Sequence, residues 1–187
     1  HPILIDKFLE NAFEFDVDAL CDGSTVLIGG IMQHIEEAGI HSGDSSCVLP
    51  AYTLTDSLRK KIKSFTESLA IKLNIKGLIN IQFAIKQETV YALEVNPRSS
   101  RTIPFVSKVT DIPLAKYAAQ ISAGLKIKDI KINKNQKSLI AVKKPVFPFN
   151  KFPKQNIFLS PEMKSTGEAI GFDNKLGSAF AKAEFSA

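Results

Sequence analysis

Leu78-Ile79-Asn80-Ile81-Gln82-Phe83-Ala84-Ile85, the polar turn Lys86-Gln87-Glu88-Thr89, and Val90-Tyr91-Ala92-Leu93-Glu94-Val95 read as two strands of one hairpin. Strand side chains alternate faces. Ile79, Ile81, Phe83 and Ile85 share an apolar face, and Asn80, Gln82 and Ala84 share the other. On the return strand Tyr91, Leu93 and Val95 are expected on the apolar face, with Ala92, Glu94 and Asn96 opposite them. Keeping both apolar faces together sets Gln82 opposite Glu94. That parity predicts an odd-numbered loop, not a two-residue turn. Gln82, Glu94 and Asn96 then project from one face, with Arg98 and Arg101 just beyond Pro97, which stops the ladder.

The flanking pattern is mixed. Phe13, Phe15, Val17 and Ala19 alternate with Glu14, Asp16 and Asp18, which predicts a strand with one buried and one acidic face. Asp22-Gly23-Ser24 reads as a turn and Thr25 to Ile35 as a second strand. Gly29-Gly30 at its centre implies a bulge or a close approach of another segment. After the polar loop 36–46 comes the short apolar run Cys47-Val48-Leu49. Thr55 to Asn74 predicts a helix burying Leu58, Ile62, Phe65, Leu69 and Leu73, capped by Thr53 or Thr55. Gly77 is expected to close the connection. Leu114 to Ala123 is expected to be helical, opened near Pro113 and closed by Gly124. Lys137 to Val146 is expected to be a strand ended by Pro145 and Pro148. Phe147 to Pro153 reads as a proline-rich crossing segment and Leu176 to Phe185 as a terminal helix. Strands with interspersed helices define an α+β chain. The expected seam lies near 125–136, dividing the chain into 1–125 and 126–187.

The chain's 187 residues suffice for one domain or one and a half. No apolar run approaches the roughly 20 residues of a membrane helix, and Asp6, Glu10 and Glu14 interrupt any leader-like start. No membrane association is expected. Because the first residue is His1, the chain reads as a fragment or a processed product. Cys21 and Cys47 are too few and too far apart for a disulfide framework or a zinc motif, so reduced thiols and a cytoplasmic location are expected. The net charge of +5 is concentrated between Arg98 and Lys154, where eleven lysines and two arginines face only Asp111 and Asp129. These lysines alternate with Ile, Val, Leu and Pro and lack aromatic–arginine stacking motifs, which favours a solvated face over nucleic-acid binding.

Three oxygen-bearing side chains on one face suit Mg²⁺ or Mn²⁺, hard ions that leave positions for water and phosphate. A solvated polar face gives the same pattern. Paired arginines suit phosphate or carboxylate. The loop Gly39-Ile40-His41-Ser42-Gly43-Asp44-Ser45-Ser46 could present backbone groups to a ribose or phosphate, shape a monovalent-cation site, or be a surface turn. There is no Walker loop and no G-x-G-x-x-G.

Longer strings carry a resemblance. They include Phe15-Asp16-Val17-Asp18-Ala19, Val26-Leu27-Ile28-Gly29-Gly30-Ile31-Met32, His34-Ile35-Glu36 and His41-Ser42-Gly43-Asp44-Ser45. Leu49-Pro50-Ala51-Tyr52-Thr53, Glu94-Val95-Asn96-Pro97-Arg98 and Pro104-Phe105-Val106-Ser107-Lys108 continue the series. Pro148-Phe149-Asn150-Lys151-Phe152-Pro153 and Ser165-Thr166-Gly167-Glu168 complete it. In this order the chain resembles the second ATP-grasp half of carbamoyl-phosphate synthase large chains. The resemblance implies the C-terminal portion of an ATP-grasp fold, with a mixed or antiparallel sheet and flanking helices. It implies an ATP-dependent, glutamine-hydrolysing ligase whose second half phosphorylates carbamate to carbamoyl phosphate for pyrimidine and arginine biosynthesis. Its partners would be a glutaminase small subunit and the rest of the large chain.

By motif match, Gln82 and Glu94 would bind ATP and Mg²⁺ or Mn²⁺, and Asn96 would complete a metal site. Glu14 would hold the ribose. Leu9, Gly39, Ile40, His41 and Ser42 would line the nucleotide pocket, with Lys7 nearby. Glu14, His34 and Ser45 resemble a potassium site. Arg98 and Arg101 would stabilise the transferring phosphoryl group and the carbamate. Ser99-Ser100 stand where the resemblance implies small apolar residues, and Glu37 where it implies glutamine. The glycine-rich phosphate lid and first nucleotide-binding strands are expected upstream of His1, so the isolated fragment is expected to be inactive. Two other readings stand beside this one. A biotin-dependent carboxylase-type ATP-grasp enzyme shares the hairpin chemistry but lacks the string from Pro148 to Pro153. A non-catalytic basic interaction module could retain the fold.

Overall fold

The computed structural model describes all residues except 1, 4, 6, 133–138, 152, 153 and 155. The expected strand start at Lys137, the last four residues of the 125–136 seam and the end of the Pro148–Pro153 string lie outside the described residues. Seven strands form one sheet: β1 (Phe13–Asp22), β2 (Val26–His34), β3 (Cys47–Leu49), β4 (Lys76–Lys86), β5 (Thr89–Asn96), β6 (Ile140–Val146) and β7 (Gly167–Asp173). Their order is β5-β4-β1-β2-β3-β6-β7, and every adjacent pair is antiparallel. The sheet is antiparallel, not mixed, and it runs continuously from the hairpin to the last strand.

Helices cover both faces. On one side α1 (Asp56–Lys72) packs on Phe15, Val17 and Ala19 of β1 and Ile79, Ile81 and Phe83 of β4. α4 (Leu176–Ser186) packs on Val48 and Val142. Val48 pairs with both Gln33 and Val142, and cross-strand partners share a face, so α4 lies on the α1 side. On the other side α2 (Ile103–Thr110) and α3 (Leu114–Ser122) bury Leu20, Met32 and Leu49. The even residues of β1 face this second layer. Their expected acidic face is therefore buried, with Glu14, Asp16 and Asp18 all at 6% exposure or less.

Several local readings are corrected. Thr55 caps α1, its Oγ1 accepting from Leu58 N, but the buried stripe is Leu58, Ile62, Thr66 and Ala70. Phe65 and Leu73 stay exposed. Thr66 turns inward because its hydroxyl donates to Ile62 O, 2.9 Å away. Gly77 lies inside β4, opposite Cys21, with φ of 123°. Pro145 lies inside β6 without cost to the ladder, because three-residue β3 reaches only Ala141 to Lys143. The second-strand glycines serve both expected purposes. Gly29 is the extra residue of a bulge between the Asp18–Gly30 and Ala19–Ile28 pairs. A Cβ on it would stand 2.8 Å from Leu114 Cδ1, so its absence lets α3 sit down.

The hairpin keeps Gln82 opposite Glu94, but by another route. Its turn has two residues, Gln87 and Glu88, with φ of 49° and 66°, the left-handed pair of a type I′ turn. Such a turn would set even residues opposite odd ones. A bulge at Leu93, between the Gln82–Glu94 and Phe83–Ala92 pairs, restores the parity. Tyr91 therefore sits opposite Ala84, and Tyr91 and Leu93 are exposed. Gln87→Asn with Glu88→Gly should stabilise the protein by about 0.5–1 kcal/mol, because both replacements tolerate positive φ. Chemical denaturation would read the gain, and an unchanged midpoint would count against the turn assignment.

Candidate functional site

One cavity of about 340 Å³ opens beside the hairpin's polar face. Gln82 from β4 and Glu94 and Asn96 from β5 form one wall. Arg98 and Arg101 come from the chain leaving β5, and His41 and Ser42 from the loop after β2. The expected acid, amides and arginines thus meet at one place. Gln82 Nε2 donates to Ser42 Oγ at 3.1 Å, tying the loop to the sheet. Arg98 Nη2 donates to Asn96 Oδ1 at 3.1 Å, which leaves that oxygen a second lone pair.

Other expected residues divide between this cavity and its surroundings. Glu14 Oε1 accepts from Gly39 N at 3.1 Å, and Oε2 lies 3.1 Å from His34 Nδ1. Leu9 lines a second cavity of about 540 Å³ with Phe8 and Phe13. Lys7 is exposed and Ile40 half-buried, and neither lines these two cavities. Ser45 Oγ donates to His41 O at 3.4 Å.

His34 stands between two carboxylates. Its Nε2 is 3.1 Å from Asp16 Oδ2, a buried hydrogen bond. The Nδ1–Glu14 approach is as short but off the line of a hydrogen bond, so it is an ionic contact. Burial opposes charge on the ring, yet Cys47 and Asp16 outweigh it and hold the His34 pKa well above its ordinary value. Both ring nitrogens of His34 face carboxylates at 3.1 Å, so the ring leaves no nitrogen for a potassium ion.

The oxygen donors at the main cavity do fit a hard divalent ion. Glu94 has no hydrogen bond or ion pair among the described residues, and it lines the cavity together with Gln82 and Asn96. That unbalanced negative charge is a place for a cation and its water.

Sequence reasoning missed several supporting residues. Lys143 of β6 is 1% exposed, and its Nζ donates to Ser42 O at 3.1 Å. Buried Asp44 accepts from Lys164 N at 2.7 Å and Ser165 N at 2.9 Å, so the segment before β7 braces the loop from behind. Asn80, Ser100 and Thr102 also line the cavity, and all three donate to Asp18. Burial raises Glu168 above the usual carboxylate range, with Lys143, Lys108 and Arg101 opposing the rise. The alternation around Ala141-Val142-Lys143 and the repeated acids of β1 were the available signals.

The sheet, its helices and this cavity define an ATP-grasp-type domain. Solved neighbours with the same fold include the biotin carboxylase domain of a single-chain bacterial carboxylase, with TM-score 0.67 and 17% identity, covering 76% of this chain and 34% of that one. Another is the K. lactis urea amidolyase, with TM-score 0.70 and 18% identity, covering 93% and 12%. The chain belongs to the family described as carbamoyl-phosphate synthase L chain, ATP binding domain, which matches residues 1–130. Over its whole length it is 54% identical to the carbamoyl phosphate synthase large chain of Methanosphaerula palustris, and it spans 18% of that protein. It is 57% identical to the one from Archaeoglobus fulgidus, spanning 17% of it. The large chain of Acidobacterium capsulatum is 55% identical over 193 residues. Among the described residues, no helix is long and apolar enough to cross a membrane.

Proposed function

We propose that this chain is the nucleotide- and metal-binding part of an ATP-dependent ligase that phosphorylates carbamate to carbamoyl phosphate, within a glutamine-hydrolysing synthase. The observation that carries this reading is the meeting of Gln82, Glu94 and Asn96 with Arg98 and Arg101 at one cavity. A carbamate oxygen attacks the γ-phosphorus of ATP, the bond to the bridging oxygen breaks, and ADP departs. Such transfers need alignment and charge compensation more than a protein nucleophile. Magnesium or manganese held by Gln82, Glu94 and Asn96 would neutralise phosphate charge. Arg98 and Arg101 orient the anionic groups, and Ser42, tied to Gln82, holds the loop beside them. The glutaminase small subunit and the rest of the large chain are the partners in this reading, the cytoplasm is its location, and pyrimidine and arginine synthesis use the product. Residues 1–125 carry the nucleotide and metal groups, and 126–187 brace them.

Measuring nucleotide affinity with and without Mg²⁺, on the chain and on the full-length large chain, tests this. Expected is a gain of about tenfold or more with Mg²⁺ in the full-length protein, given the charge the ion offsets. Magnesium-independent affinity would remove the proposed site and favour a non-catalytic basic module, as would salt-sensitive nucleic-acid binding in its place. A biotin-dependent carboxylase is disfavoured by the low identity to its solved example.

A further inference from the structure

Asp18 sits in the middle of β1 and is 0% exposed. Its partners are unusual for a buried carboxylate. No lysine, arginine or histidine pairs with it among the described residues. Instead Oδ1 accepts from Ser100 Oγ at 2.8 Å and Asn80 Nδ2 at 3.0 Å, and Oδ2 accepts from Thr102 Oγ1 at 2.5 Å. Ser100 and Thr102 also bond each other at 2.8 Å. Between and beside these hydroxyls lie Arg98 and Arg101, whose side chains are exposed at the cavity.

The chain from Pro97 to Arg101 belongs to no strand or helix. Among the described residues Arg98 bonds only to its own neighbourhood, at Ser99 O and Asn96 Oδ1. Local backbone of this kind has no ladder to fix it. Two hydroxyls gripping one buried carboxylate supply the missing anchor, since hydrogen bonds to a charged acceptor are stronger than neutral ones.

We propose that Asp18 is a positioning residue for phosphoryl transfer: its buried carboxylate latches Ser100 and Thr102 and so holds Arg98 and Arg101 over the cavity. This rests on the functional reading above and adds a residue to it. Its carboxylate takes two hydroxyls from the arginine loop and an amide from the metal-bearing strand, so it ties the one to the other.

The latch has a pH dependence. Burial raises the Asp18 carboxyl to about 6, against the lowering pull of Thr102, Ser100 and Asn80. Asp16 on the same strand adds to the rise. Gly30 opposite on β2 is uncharged, and the loop's own charged groups are Arg98 and Arg101. The carboxylate is thus ionised at neutral pH and gains a proton as pH falls through about 6, turning one acceptor into a donor.

The test uses full-length large chain carrying Asp18→Asn, assayed in reverse: ADP takes the phosphoryl group of carbamoyl phosphate, giving ATP and carbamate. Expected is a rise of about tenfold in KM for carbamoyl phosphate, with KM for MgADP within about twofold, because only the arginine-held anion loses its frame. The wild-type kcat/KM should fall as pH drops through 6, and the variant should lack that limb. Independently of activity, trypsin should cut after Arg98 and Arg101 faster in the variant, with cuts in α1 unchanged. Wild-type protein that makes no ATP would sink the functional reading, and the cleavage rates would still decide the latch. If Asp18→Asn fails to fold, Ser100→Ala with Thr102→Val breaks the same grip from the loop side. Unchanged cleavage and unchanged KM in a folded variant would overturn the proposal.

Discussion

Full-length enzyme carrying Glu94→Ala should fold normally and lose carbamoyl phosphate synthesis by about 10³-fold. Glu94 lies on β5, the sheet's outer strand, with its side chain exposed. Having no hydrogen bond or ion pair among the described residues, it contributes little to stability, and removing it should change unfolding by within about 0.5 kcal/mol. Its charge faces the cavity shared with Gln82, Asn96 and the arginines. Without it a divalent ion keeps only neutral amide donors, and the phosphates lose their counter-charge in the transition state. Losing one such preorganised group costs about 10²–10³ in rate elsewhere, and loss of the ion itself adds to that. Glu94→Gln separates the two parts, because it keeps the shape and one acceptor oxygen. It should resemble alanine if charge is the main contribution. A folded Glu94→Ala enzyme with substantial activity would refute the role assigned to this carboxylate.

Gly171→Ala should be the most damaging single methyl group in the chain. Gly171 lies on β7 opposite Val142, on the face covered by α4. A Cβ there would stand 2.0 Å from Ala179 O and 2.5 Å from Ala183 N. Both obstacles are helix backbone, so no rotamer change can relieve them. α4 must move away, which uncovers Val48 and Val142 and separates Lys144 from Glu184, now 3.0 Å apart. Overpacking commonly costs 1–3 kcal/mol, and a clash with backbone belongs at about 3 kcal/mol or above. Thermal and denaturant unfolding would show a lower midpoint, and exposure of α4 to hydrogen exchange would locate the damage. A variant as stable as the parent would mean that the helix does not approach the strand this closely.

The hairpin was legible because both of its strands alternate cleanly, and the alternation correctly paired Gln82 with Glu94. The turn was misread because parity counts residues and cannot see a bulge; Leu93 restored what the two-residue turn had shifted. Helix α2 escaped notice because Pro104 reads as a breaker, although at a helix's first turn it has no hydrogen bond to lose. Strand β7 was missed because Gly167 and Gly171 dilute its alternation, and nothing in the sequence says that the backbone of α4 will press on Gly171. The sequence showed β1 as one buried and one acidic face, and the burial of the acidic face was not legible because nothing local says that α2 and α3 will cover it. The candidate site divides in the same way. Residues that touch the cavity from one hairpin were found together, while Asp18, Lys143 and Asp44, which act on its shape from behind, depend on contacts between distant segments.

The family match ends at residue 130, yet Lys143, Lys164 and Ser165 hold the His41–Ser45 loop in place. A polypeptide trimmed to the matched region would retain the hairpin and its arginines and lose the buttress under Ser42. The boundary of the matched domain and the boundary of the segments that hold this loop fall at different points along the backbone, and any engineered transplant of the domain has to respect the later one.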